Sequence, residues 1–253
     1  MKYPQDYINK IIQGNCLEVM KGIPDKSVDM ILCDLPYGTT ACKWDTIIPF
    51  EPLWEAYKRI IKDNGAIVLT ASQPFTSKLV MSNLKWFKYE WIWVKNTATG
   101  IASAKYQPMR YNENILIFGK GKTTYNPEMI KRTAGSKKRL KHKLYNGGNG
   151  NHIKLKKQLS NYNRDFKNPS NVIYINTEPN SKGKLHPTQK PVALFEYLIK
   201  TYTNEGELVL DNCIGSGTTA VACKNLKRKY IGIEISEDYC KIARDRLKQE
   251  ILL

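Results

Sequence analysis

The chain has 253 residues, enough for one substantial core or for one domain carrying an inserted subdomain. Lys and Arg number 40 against 23 Asp and Glu, a net charge of +17 that suits a polyanionic partner such as nucleic acid. No apolar stretch approaches the roughly 20 residues that span a membrane, and Met1 to Asn15 holds no apolar signal-peptide core. The six cysteines fall into no metal-type spacing, so a reducing cytoplasm is expected and no metal is implied.

In chain order, Val28–Cys33 reads as a buried strand that runs directly into Asp34-Leu35-Pro36-Tyr37. A carboxylate, a proline and an aromatic at a strand exit suit a site that grips a flat, amino-bearing ring. Asp34 accepts from an exocyclic amine and the Leu35 carbonyl is a second acceptor. Pro36 stiffens the turn, and Tyr37 stacks. A strand that simply ends in a turn fits the same four residues. Trp44-Asp45 follows, in a segment suited to closing over such a ring. Helices are expected at Pro52–Lys62 and Pro74–Leu84, with Gly65 as a C-terminal stop for the first. Strands are expected at Ala66–Thr70, Tyr89–Val94 and Asn114–Phe118. Trp91 and Trp93 share one face of their strand and read as packing residues. Lys95, at that strand's end, is positioned for a nucleic-acid backbone.

The pattern breaks between residues 120 and 167, where fourteen Lys or Arg meet two acids, Glu128 and Asp165. Lys137, Lys138, Arg139 and Lys141 fall here, interleaved with Asn, Gly and Tyr. Such a stretch can neutralise phosphates and stack on or read bases; a disordered basic loop has the same composition.

Regular structure resumes after His186-Pro187-Thr188-Gln189-Lys190-Pro191. A helix is expected over 191–203, a strand over 207–211, a helix over 218–227, a strand over 229–235 and a helix over 236–250, capped by Ser236. Between the first strand and its helix lies Asn212-Cys213-Ile214-Gly215-Ser216-Gly217-Thr218-Thr219. Glycines there permit a tight turn, and the following helix offers free N–H groups. Glu234 stands nineteen residues after Gly215, the spacing of an acid that reaches a ribose hydroxyl. Alternating strands and helices imply an α/β fold, a mostly parallel sheet with helices on both faces. Ligands bind such sheets at strand C-terminal ends, near a switch in strand order. Asp34 and Asp211 each end a strand and meet if those strands are neighbours.

The three motifs resemble those of the S-adenosylmethionine-dependent DNA amino-methyltransferases that modify adenine N6 or cytosine N4. D-L-P-Y is similar to that family's (D/N/S)-P-P-(Y/F) motif, D-N-C-I-G-S-G-T-T to its cofactor loop, and H-P-T-Q-K-P to the element just before it. Their order, with the catalytic motif first, matches the permuted beta group. The resemblance implies a Rossmann-like methyltransferase fold spanning residues 1–253, with roughly 120–180 an inserted target-recognition region. It implies Asp34, Leu35, Pro36 and Tyr37 as catalytic residues. It assigns Asp211, Gly215, Ser216, Gly217 and Thr218 to the methionine end of the cofactor, with Thr188 and Lys190 reaching its carboxylate. Glu234 takes the ribose, Asn15 and Cys16 lie at the adenine edge, and Asp34 borders the same pocket. Lys95, Lys137, Lys138, Arg139 and Lys141 are the expected DNA contacts, double-stranded DNA the partner, and a homodimer a possible assembly.

Three departures stand out. Leu35 replaces a proline, Asn15 replaces an acid, and Asn212-Cys213 replaces Pro-Phe. Asp34 favours adenine, because N4-cytosine enzymes usually start the tetrad with Ser. A C5-cytosine mechanism needs a nucleophilic cysteine, and Cys33 points away from the site if its run is a strand. Methylation of RNA or protein, a silent DNA-binding protein and a nicotinamide-linked dehydrogenase are the remaining readings. The dehydrogenase shares the glycine loop but gives no account of D-L-P-Y.

Overall fold

The computed structural model describes residues 1–38, 45–137, 165–177 and 189–248. The first half contains β1 (Lys10–Gln13), α1 (Cys16–Met20), β2 (Val28–Cys33), α2 (Phe50–Ile60), β3 (Ile61–Ala71) and α3 (Phe75–Ser82). The long strands β4 (Phe87–Thr99) and β5 (Arg110–Phe118) follow. Short strands come next: β6 (Ile130–Lys131), β7 (Phe166–Lys167) and β8 (Val172–Tyr174). The chain continues through α4 (Val192–Tyr202), β9 (Leu208–Asp211), α5 (Thr218–Asn225), β10 (Lys229–Glu234) and α6 (Glu237–Lys248).

Eight strands form one sheet in the order β1-β10-β9-β2-β3-β5-β4-β8. The five strands from β1 to β3 run parallel. β5 is antiparallel to both β3 and β4. Strand β2 is buried along its whole length, which a central parallel strand covered on both faces requires. Ile31 and Cys33 face a core closed by Leu53 and Tyr57 of α2 and Phe75 of α3. Met30 and Leu32 face the opposite core, closed by Leu194 and Leu198 of α4 and Ala222 of α5. Asp29 is the one acid within β2. Its Oδ2 accepts the Leu208 N–H at 2.9 Å, tying β2 to the start of β9.

One expectation changes. Gly65 does not stop a helix: α2 ends at Ile60, and Gly65 lies within β3. A Cβ there would stand 2.8 Å from the Asp29 carbonyl oxygen, so the glycine permits a close strand approach at a register shift. The edge strands β1 and β8 went unread because three- or four-residue strands carry too little periodicity. Trp91 and Trp93 are core residues, as their spacing implies.

Residues Pro127–Ser170 form a separate compact unit, distinct from Met1–Asn126 with Asn171–Leu253. In it β6 and β7 pair antiparallel, and Arg132 Nε donates to the Phe166 carbonyl at 2.9 Å. Among the described residues no helix is long and apolar enough to cross a membrane.

Candidate active site

The switch in strand order falls between β2 and β9. These strands pair directly, Met30 with Val209 and Ile31 with Leu210. From β2 the sheet grows one way through β3, and from β9 the other way through β10. Such a point opens a crevice at the strand C-terminal ends. Asp34 and Asp211 therefore line one cavity of about 720 Å³, although they are far apart in sequence. Asn15, Gly215, Glu234 and Lys190 line it too.

The Leu35 side chain is buried in the core beneath Asp34 and anchors the turn that the family's proline would stiffen. Its carbonyl accepts no hydrogen bond among the described residues. Asp34 Oδ1 accepts from the Tyr37 hydroxyl at 2.8 Å and from the Thr70 hydroxyl. Asp34 Oδ2 accepts from Lys190 Nζ at 2.8 Å. A carboxylate offers about four acceptor positions, so among the described residues one remains, on Oδ2. The Tyr37 ring stacks on Phe75 with centroids 5.0 Å apart, which sets its plane. Burial, with Asp34 nearby, raises the Tyr37 phenol well above its ordinary pKa and keeps it a donor.

The ammonium of Lys190 also stands 3.3 Å from Glu113 Oε2, and Glu113 Oε1 pairs with Lys95 at 2.9 Å. Burial opposes charge on Lys190. The Asp34 and Glu113 carboxylates outweigh it and raise the lysine well above its ordinary pKa. Burial pushes the Glu113 carboxyl up, and the two lysines more than offset that, so it lies below the usual range.

The glycine loop leaves β9 through Asp211. The Cys213 N–H donates to Asp211 Oδ1 at 3.1 Å, and the Thr219 hydroxyl donates to Oδ2. Burial pushes Asp211 up to about 7, against the lowering effect of those donors. Gly217 has φ +87°, and a Cβ there would lie 2.9 Å from Ala243 Cβ. Its smallness therefore serves the approach of α6. Glu234 receives the Gly215 N–H at 2.9 Å and the Ser236 N–H at 3.0 Å, joining loop and strand end at the cavity wall. Arg246, invisible to motif reading, donates to the Ser216 carbonyl at 2.7 Å and holds the loop from α6. Tyr57 likewise fixes Asn212, donating to its side-chain oxygen at 2.5 Å.

Several expected roles shift. Lys95 is a correction: its side chain is 4% exposed and paired with Glu113, so it is not an outer phosphate contact. Lys190 engages Asp34 instead of standing open to a cofactor carboxylate. Asn15 spends its side-chain oxygen capping α1 through the Leu17 N–H at 2.9 Å, while still lining the cavity beside Cys16. Lys137 pairs with Asp165 within its own unit. Asp45 accepts the Gly38 N–H at 2.8 Å and lines the cavity. Trp44, Lys138, Arg139, Lys141 and Thr188 lie outside the described residues. Cys33 sits in the core, its thiol pushed up to about 12 chiefly by burial, which makes it a poor nucleophile.

A family model described as DNA methylase, for the N6 and N4 enzymes, matches residues 28–245. The chain belongs to the N6/N4 DNA methylase family. It is 31% identical over 258 residues to the type II methyltransferase M.HpaI of Haemophilus parainfluenzae, covering 95% of this chain and 74% of that one. It is 30% identical to the DNA adenine methyltransferase YhdJ of Escherichia coli (strain K12), covering 94% and 82%. The structure of an M1.HpyAVI–SAM complex superposes with TM-score 0.63 at 25% identity, covering 95% and 99%. The cytosine-N4-specific PvuII DNA methyltransferase shares the fold, with TM-score 0.65 at 15% identity, covering 96% and 87%.

The methylase uses S-adenosylmethionine, and the cavity fits it. Its volume lies in the range of small-molecule sites. Asp211 and Glu234 supply acids for a cationic ligand bearing ribose hydroxyls, and the glycine loop gives a close backbone wall.

Proposed function

We propose that this methylase transfers a methyl group to the N6 amino group of an adenine displaced from the DNA stack. The observation that carries the reading is a pair of acceptors at one turn that are open among the described residues, the last position of Asp34 Oδ2 and the Leu35 carbonyl. Two acceptors match the two hydrogens of an exocyclic amine.

S-adenosylmethionine, when bound, supplies an electrophilic methyl group on a positively charged sulfur. The glycine loop, Asp211 and Glu234 line the part of the cavity suited to it, with Asn15 and Cys16 at the far edge. A base inside a duplex is out of reach of this cavity and has to leave the stack. Tyr37, braced by Phe75, then offers its ring to the base. Asp34 and the Leu35 carbonyl accept the amino hydrogens and draw the nitrogen lone pair out of conjugation with the ring. Positioning and fixed charge do most of the work. The amine becomes acidic only as its new bond forms, so Asp34 can take the proton without being a strong base.

Adenine is favoured over cytosine by Asp34 at the head of the tetrad and by the named specificity of YhdJ. The region of roughly 120–180, which contains the compact unit Pro127–Ser170, is the proposed target-recognition region of a catalytic domain spanning the chain, supported by its charge and by its forming a compact unit of its own. Lys138, Arg139 and Lys141 belong to this part of the proposal. A cytoplasmic location agrees with five free cysteines among the described residues. A homodimer rests on the family resemblance alone, and light scattering decides it. The test of the reaction is nucleoside mass spectrometry of DNA incubated with the protein and S-adenosylmethionine. N6-methyladenine is expected; N4-methylcytosine would replace the base, and unmodified DNA would end the proposal.

A further inference from the structure

Four charges alternate along one wall of the cavity, Asp34, Lys190, Glu113 and Lys95, with Lys190 and Lys95 buried and Asp34 and Glu113 half-buried. Their contacts measure 2.8 Å, 3.3 Å and 2.9 Å in that order. The side chains are 23%, 9%, 17% and 4% exposed. They come from four places in the fold: the end of β2, the segment before α4, β5 and β4. Their formal charges cancel.

The arrangement poses an electrostatic difficulty. Lys190 fixes Asp34 Oδ2, the oxygen that retains an open acceptor position. It thereby sets a full positive charge beside the nitrogen that becomes positive as it is methylated. A cation there opposes the reaction unless something neutralises it. Glu113 Oε2 faces Lys190 and makes no aligned hydrogen bond, although it is fully buried. Its relation to Lys190 is therefore one of charge more than of directed bonding. Lys95 secures the other oxygen of Glu113 at 2.9 Å.

We propose that Glu113 is a positioning residue whose negative charge lets Lys190 orient Asp34 without leaving an uncompensated cation beside the reacting amine. Lys95 holds Glu113 in place. The inference rests on the amino-methyltransferase reading above. It adds a sign rule to it: loss of negative charge at Glu113 slows the reaction, and loss of positive charge at Lys95 does not slow it comparably.

The test compares Glu113→Gln, Lys95→Met and the double variant with the wild-type chain, using plasmid DNA and S-adenosylmethionine. An uncompensated unit charge about 6 Å from a developing charge costs about a hundredfold in rate at an effective dielectric near 20. Glu113→Gln is expected to lose about that much kcat, with KM for DNA and cofactor affinity by calorimetry little changed. Lys95→Met breaks the same ion pair with the opposite change of charge, and should lose several times less. The double variant restores neutrality and should recover most of the rate lost in Glu113→Gln. Equal losses in both single variants, with no recovery in the double, would overturn the proposal and leave Glu113 a packing residue. If Glu113→Gln fails to fold, Glu113→Asp keeps the charge and must retain far more kcat than Lys190→Met. Failure of the underlying reading looks different, because the wild-type chain itself would then methylate no DNA.

Discussion

Asp211 gives the cofactor site a pH dependence that can be worked through. Its carboxyl is buried, which pushes it up to about 7, and the Thr219 hydroxyl and Cys213 N–H only partly counter that. A group with a pKa near 7 is about one-tenth ionised at pH 6 and about nine-tenths ionised at pH 8. A cationic ligand prefers the ionised form. The association constant for S-adenosylmethionine should therefore rise about tenfold from pH 6 to pH 8 and level off above that. The effect on folding has the opposite sign. The unfolded chain releases this proton near the ordinary carboxylate pKa, whereas the folded chain keeps it until about 7. Asp211 therefore takes stability away as pH rises through that window, and none further above it. Asp211→Asn removes both dependences. Calorimetric titration at several pH values, paired with urea unfolding of the same proteins, measures both slopes. A wild-type affinity that is flat between pH 6 and 8, or an Asn variant with the wild-type slope, would refute the reasoning.

Other consequences are direct. Tyr37→Phe keeps the stack on Phe75 but removes the hydroxyl bonded to Asp34, and kcat should fall by about tenfold, the worth of one hydrogen bond to a charged group; an unchanged kcat would separate that hydroxyl from catalysis. Gly217→Ala forces a side chain into φ +87° and against Ala243. Left-handed strain of about 1–2 kcal/mol and overpacking of about 1–3 kcal/mol should appear together in urea unfolding, and wild-type stability would show that α6 yields freely. Neutralising Lys137, Lys138 and Arg139 should weaken DNA binding and flatten its salt slope by at most about 2.7. Because Lys137 already pairs with Asp165, a single Lys137→Gln should contribute the least.

The sequence made the centre of the sheet legible because burial on two faces writes a continuous apolar run. Val28–Cys33 was read with its observed bounds, and Lys229–Glu234 to within one residue. The glycine loop was readable because its strand, turn and helix are consecutive. Asp34 and Asp211 share a wall because their strands are neighbours, a condition that the sequence leaves open and the sheet order supplies. The charge chain behind Asp34 was not readable. Lys190 lies 156 residues from Asp34, and no periodicity links the two. Glu113 sits within a strand, where a lone acid looks like a solvent-facing residue. Lys95 was misread for the same reason, since a lysine at a strand end is usually exposed. Asn15 looked like a ligand contact, and its local bond to Leu17 shows a capping role that the short helix concealed.

The most direct test of the central claim is single-molecule sequencing of DNA from cells expressing this chain, beside cells expressing Asp34→Ala. The expected result is N6-methyladenine at one short sequence, absent with the variant, while purified Asp34→Ala still binds S-adenosylmethionine. The same methylation pattern in both cultures would remove Asp34 from the reaction and contradict the account.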